Sequence, residues 1–116
     1  MKFTRTTTLA AALALTAGVA HAQYTDGTIK IGVLSDMSGL YSDLGGEGST
    51  AAAAMAVEDY KAAAKGMKVE IISADHQNKP DVGSAIARQW YDVDKVDVIV
   101  DVPTSSVALE IGRAHV

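Results

Sequence analysis

Apolar positions recur along this chain in two rhythms. Ile29, Ile31 and Val33 fall at every second residue, Leu34 extends the run, and Asp and Ser residues mark its end. A period of two belongs to a strand, so residues 29–36 (IKIGVLSD) are expected to form one. Val69, Ile71 and Ile72 carry a second strand over 68–75 (KVEIISAD). A third, over 96–103 (VDVIVDVP), is apolar enough for a central place covered on both faces, and Pro103 stops it.

The stretches between have the other rhythm. From Gly46 or Gly48 to Ala64, the alanines with Met55, Glu58 and Lys61 favour helix, and Gly66 is placed to end it. Pro80 suits the first turn of a second helix. Val82, Ile86, Trp90 and Val93 then return at helical spacing and are expected to face a sheet. TSSVALE, after Pro103, opens a third helix. Strand and helix alternate three times, which predicts an α/β fold with a parallel, Rossmann-like sheet and right-handed crossovers.

Composition changes the picture at the two ends. MKFTRTTTLAAALALTAGVAHA has a positive start (Lys2, Arg5), an uncharged apolar run from Leu9 to Val19, and Ala20 and Ala22 bracketing His21. Those are the three parts of a secretory signal peptide over residues 1–22, cleaved after Ala22. The run is shorter than the roughly 20 residues of a spanning helix. The mature product is therefore expected to be soluble, exported and not inserted in a membrane. The chain has no cysteine, which excludes disulfides, thiolate metal sites and a lipidated amino terminus. An exported protein of this kind suits a bacterial periplasm. At the other end, IGRAHV equals the in-frame translation of a common sequencing-adapter stretch. Residues 111–116 are thus expected to be a non-native tail, and 23–110 the native mature portion. The 94-residue piece after Ala22 is expected to be marginally stable alone, because it leaves a parallel sheet unfinished. Loss of Lys2 and Arg5 from ten basic residues leaves eight against fourteen acidic ones, a charge of about −6. The acids are scattered, and nothing resembles the basic stripe that nucleic acid requires.

The candidate chemistry lies after the strands. Gly46-Glu47-Gly48-Ser49-Thr50-Ala51 satisfies G-x-G-x-x-A, with Asp75 ending the second strand as a partner acid. A dinucleotide fingerprint, however, sits directly after its strand, and here about a dozen residues intervene after Val33. The glycines are better read as shaping a long first loop. In open α/β sheets ligands bind beyond the carboxyl ends of the strands. Ser38, Tyr41 and Ser42 lie on that loop, and Tyr41 either lines a pocket or covers the sheet end. Pro103-Thr104-Ser105-Ser106 begins a helix, where free N–H groups and the helix dipole favour an anion. Thr104 and Ser105 there either help to hold a carboxylate or simply cap the helix. His76, beside Asp75 and with no second ligand nearby, reads as a polar loop residue. No G-x-S-x-G elbow is present, and Trp90 reads as core.

Taken together, IKIGVLSDMSGLYSDLGG, VEIISADHQNKPDVGSAIARQW and VDVIVDVPTSSVAL resemble the periplasmic substrate-binding proteins of branched-chain amino acid type ABC transporters. The resemblance covers Gln23 to Leu109. It implies two Rossmann-like lobes with a ligand in the cleft between them, this chain being the first part of the amino-terminal lobe. It implies that Ser105, with Thr104 beside it, holds a ligand carboxylate, and that Tyr41 and Ser38 lie over the ligand. Such proteins often have an acid before the proline of the second helix; here Lys79 stands there, leaving Asn78 as substitute cap. The implied function is capture of a small carboxylate, an amino acid or an aromatic acid, for a membrane permease, with no cofactor and no catalysis. The rival readings are an exported enzyme or dinucleotide-binding oxidoreductase, and a ligand-sensing domain without transport.

Overall fold

The computed structural model of the chain describes residues 26–114. The expected signal peptide and its cleavage site lie outside them, as do His115 and Val116. Within them the chain forms β1 (Ile29–Ser35), α1 (Gly46–Tyr60), a 3₁₀ turn (Ala63–Lys65), β2 (Val69–Asp75), α2 (Pro80–Asp92), β3 (Val98–Val100) and α3 (Ser105–Ala114). The strands are parallel in the order β2-β1-β3, the α/β arrangement expected from the alternation. Ile29 pairs with Val69 and Ser35 with Asp75, while Val33 pairs with Val100. The register thus brings Ser35 and Asp75 side by side where their two strands end.

The sheet's two faces follow from the period of two. Gly32 and Leu34 point to the face where α2 packs, in a core of Leu34, Ala87, Trp90 and Val96 extended by Ile72, Ile86, Ile99, Val102 and Ile111. A Cβ at Gly32 would lie 2.4 Å from the Trp90 ring, so the absent side chain is what lets α2 sit this close. Ile29, Ile31, Val69 and Val100 point the other way, toward α1.

Several expectations need correction. The third strand is three residues long and lies at the edge of the sheet among the described residues, not in a covered central place. Asp101 takes a left-handed φ of 55°, which breaks the extended run. Val96 instead precedes the strand, buried in the core with its N–H bonded to the Trp90 carbonyl at 2.9 Å. Helix α1 stops at Tyr60 instead of Ala64, because Lys61 turns left-handed and bonds its N–H to the Glu58 carbonyl. That turn carries Ala62 inward, where it is buried. Tertiary burial outweighs the helix propensity of the following alanines. On α2 the buried stripe is Gly83, Ser84, Ala87 and Trp90, while Val93, just past the helix end, is 62 % exposed. The stripe is rotated because α3 packs against Gly83, where a Cβ would meet Val107 at 2.4 Å.

Candidate functional site

Two loops and one helix start meet at the carboxyl end of the sheet. The first loop joins β1 to α1. Asp36, fully buried, accepts the Gly39 N–H at 2.8 Å on Oδ1 and the Tyr41 N–H at 3.0 Å on Oδ2. A Cβ on Gly39 would stand 2.7 Å from both oxygens, so the cradle requires glycine there. The Ser42 hydroxyl donates to the Gly39 carbonyl, and the Leu44 N–H to the Tyr41 carbonyl. At the loop's far end the buried Ser35 hydroxyl accepts the Gly46 N–H at 3.2 Å. A long loop is thus folded on itself by strand-end side chains, with Tyr41 and Leu44 carried on its outer part.

The second loop joins β2 to α2. Gln77 and Asn78 both take left-handed φ values, 53° and 56°. Their N–H groups are held by the side chains just before them: Gln77 by Asp75 Oδ1 at 2.7 Å, Asn78 by His76 Nδ1 at 3.0 Å. Because His76 Nδ1 accepts, the ring is the tautomer with its proton on Nε2. The ring lies in the loop, as expected, but is fully buried, and Nε2 has no hydrogen-bond partner among the described residues. No group of His, Asp and Glu among the described residues is arranged to hold a metal.

Asp75 also reaches the first loop. It accepts the Met37 N–H on Oδ1 at 2.9 Å and the Ser38 hydroxyl on Oδ2. Burial alone would raise its pKa, but the Ser38 hydroxyl and the Met37 and Gln77 amides together outweigh that. The carboxyl is held below its ordinary value.

The third wall is the start of α3. Thr104 precedes the helix and its carbonyl accepts the Ala108 N–H at 3.0 Å. Its hydroxyl is buried and has no partner among the described residues, so it does not cap the helix. The first turn carries no acidic residue. Helix-start amides and a positive dipole end therefore stand here without a competing carboxylate. They border a cavity of about 530 Å³ lined by Tyr41, Leu44, Asn78, Pro103, Thr104, Ser105 and Ser106. None of these side chains is charged, so an anion there would be held by N–H and O–H groups alone.

The match with known proteins agrees with this architecture. A family model described as periplasmic binding protein matches residues 28–114. The chain belongs to the periplasmic binding protein family. Among solved structures it is similar to a branched-chain amino acid ABC transporter periplasmic ligand-binding protein from Burkholderia xenovorans, at 48 % identity and a TM-score of 0.69, covering 74 % of this chain and 23 % of that one. A periplasmic binding protein from Burkholderia mallei is 40 % identical, with a TM-score of 0.70 over 76 % of this chain and 24 % of that one. A solute binding protein of an ABC transporter from Rhodopseudomonas palustris, in complex with 3,4-dihydroxybenzoic acid, is 25 % identical, with a TM-score of 0.60 over 73 % and 23 %. No curated protein matches the chain. The chain spans about a quarter of the length of these periplasmic binding proteins.

Of the four residues singled out in the sequence, Tyr41, Thr104 and Ser105 line one cavity. Ser38 does not line it; its hydroxyl donates to Asp75. Asn78 does not cap α2, whose N-cap is Lys79 with no side-chain cap bond, and it stands in the cavity wall instead. Leu44 was missed. Its signal was an apolar residue in a polar, glycine-rich loop, and it is 82 % exposed. The acceptor roles of Asp36 and Asp75 left no trace in spacing, since they depend on how the loops fold back.

Proposed function

We propose that this chain is the first part of the amino-terminal lobe of an exported solute-binding protein, which captures a small carboxylate for an ABC-transporter permease. The observation that carries the reading is Thr104, which lines a cavity with Tyr41 and Ser105 and whose hydroxyl is buried without a partner among the described residues. A buried hydroxyl without a partner is costly, and rotation of the Thr104 side chain would offer it to a ligand oxygen in the cavity. Ser105 and the first amides of α3 would take the rest of the carboxylate, and Tyr41 and Leu44 would cover its apolar body. Closure of a second lobe over the ligand follows if the ligand binds the closed form better. No covalent step is involved, so the protein is not an enzyme. Residues 1–22 would be the signal peptide, leaving the mature protein in the periplasm. Residues 23–110 would be the native part of the lobe, and 111–116 a non-native tail.

The ligand class is an aliphatic amino acid or an aromatic acid. The likeness to the branched-chain amino acid ligand-binding protein of Burkholderia xenovorans supports the first, and the dihydroxybenzoate bound to the Rhodopseudomonas palustris relative the second. The G-x-G-x-x-A stretch gives the oxidoreductase reading no support, since residues 46–51 are the opening of α1 and not a strand-to-helix turn. Calorimetric titration of the complete exported protein with leucine, benzoate, 3,4-dihydroxybenzoate and NAD tests the proposal. Saturable binding of a carboxylate is expected. Binding of NAD with no response to any acid would overturn it, and the absence of any neighbouring permease gene would favour a sensing role.

A further inference from the structure

We propose that Asp75 is the positioning residue of this cavity, a cross-tie that sets the Tyr41 loop and the Asn78 loop relative to each other. The inference rests on the solute-capture reading for its consequence, but not for its geometry. Asp75 ends β2 directly opposite Ser35 in register, so its carboxylate stands between the points where the two loops leave the sheet. Oδ1 accepts from Met37 in the first loop and from Gln77 in the second, and Oδ2 accepts from the Ser38 hydroxyl. Asp36 and His76 bind only the loops they themselves begin. Asp75 alone of these three reaches both.

The second loop needs such a tie. Two consecutive non-glycine residues at positive φ are unfavourable and persist only where the surroundings hold them. Without the Asp75 acceptor, Gln77 is free to relax, and Asn78, left with the His76 Nδ1 bond alone, is less firmly fixed in the cavity wall. The first loop loses its anchor at Met37 and Ser38, the base from which Tyr41 projects. Both walls of the cavity therefore loosen together, and the ligand meets a binding-competent arrangement for only part of the time.

The test uses the complete exported protein and three variants. Asp75→Ala removes all three contacts. Asp75→Asn keeps Oδ1 for both amides and presents an amide donor that the Ser38 hydroxyl can accept. Ser38→Ala removes one contact. Two readouts are taken where circular dichroism shows each variant folded. They are hydrogen exchange of the peptides containing Tyr41 and Asn78 without ligand, and affinity for whichever of leucine, benzoate or 3,4-dihydroxybenzoate the wild type binds. Asp75→Ala is expected to exchange faster in both loops and to bind about tenfold more weakly, the loss if the competent arrangement falls to about a tenth of the population. Asp75→Asn is expected to restore both readouts to within about twofold, a recovery that general damage to the fold would not show. Faster exchange in one loop only, wild-type affinity in a folded Asp75→Ala protein, or an Asp75→Asn protein as impaired as Asp75→Ala would each overturn the cross-tie. If Asp75→Ala does not fold, Ser38→Ala decides: faster exchange in the Asn78 loop, across the tie, supports the proposal, and a change confined to its own loop overturns it. If the wild type binds no acid, the capture reading falls while the exchange arm still decides the geometry.

Discussion

The carboxyl edge of the sheet and the sheet face beneath α1 are held in opposite ways. At the edge, buried side chains (Ser35, Asp36, His76) and the half-buried Asp75 each accept backbone N–H groups, so loops with little apolar burial are nonetheless specified. Beneath α1 there is almost no polar direction. A cavity of about 420 Å³ remains there, lined by Ile29, Ile31, Val57, Tyr60, Val69 and Val100 among others, and Met55 on the helix is 62 % exposed. Hydrogen bonds from strand ends are short-range and need only the strands in register. Apolar closure needs enough chain to cover a face, and this chain spans about a quarter of its relatives' length. The edge is therefore set by directional polar contacts and the α1 face by apolar contact alone.

The sharpest way to break that contrast is to express residues 23–116 alone. A broad, non-cooperative thermal transition by circular dichroism is expected, together with binding of an apolar dye to the α1 face. A cooperative melt of a monomer would show that the open face does not limit stability. Next in size is Trp90→Ala in the complete protein. It removes the ring packed on Gly32 and Leu34 and is expected to cost about 3–5 kcal/mol in chemical denaturation. A loss under about 1 kcal/mol would mean the α2 face is as loosely closed as the α1 face.

A smaller effect, of opposite sign for stability and function, is expected at the edge. Thr104→Val keeps the shape and removes a buried hydroxyl that has no partner. Replacing an unsatisfied polar group in this way is expected to leave unliganded stability unchanged or to raise it by about 1 kcal/mol. Affinity for the carboxylate should fall about tenfold, because a charge-assisted hydrogen bond is lost. Denaturation and calorimetry on the same variant separate the two; a destabilised protein with unaltered affinity would make Thr104 a structural residue.

The same contrast explains what could be read from the sequence. Ile29, Ile31 and Val33 announced β1, and the alternation of elements announced the parallel sheet, because both depend on periodicity alone. Tyr41, Thr104 and Ser105 were legible as edge residues because ligand sites in such sheets lie beyond strand ends. Their alternatives stayed open because capping and ligand binding use the same residue types; only the unpaired Thr104 hydroxyl separates them. Val93 misled because its spacing fits the apolar stripe, while the actual stripe is set by where α3 meets Gly83. The end of α1 misled because Lys61 at positive φ goes with the burial of Ala62, which the alanine run does not show. Ser38 was placed over a ligand for want of the one fact that matters to it, the neighbouring Asp75 across the β1–β2 register.

The smallest expected effect is a pH dependence confined to the edge. Asp75 releases its proton more readily folded than unfolded, because the Ser38 hydroxyl and the two amides bind the charged form and outweigh burial. Between the lowered folded value and the ordinary one, the unfolded chain binds more protons, so stability rises with pH there. The contribution is fully present above the ordinary carboxylate value and is lost as pH falls through the folded one. The group is only half-buried, and solvent screening keeps the effect small. Hydrogen exchange at Gln77 and Met37 should therefore be flat from neutral pH down to the ordinary carboxylate range, after correction for intrinsic rates, and should rise below it. Ser38→Ala should move that rise to higher pH, because removing the hydroxyl donor brings the carboxyl back toward its ordinary value. A rise at the same pH in wild type and variant would mean that another acid controls the loops. Asp36, buried and bonded to Gly39 and Tyr41, is then the group to replace next.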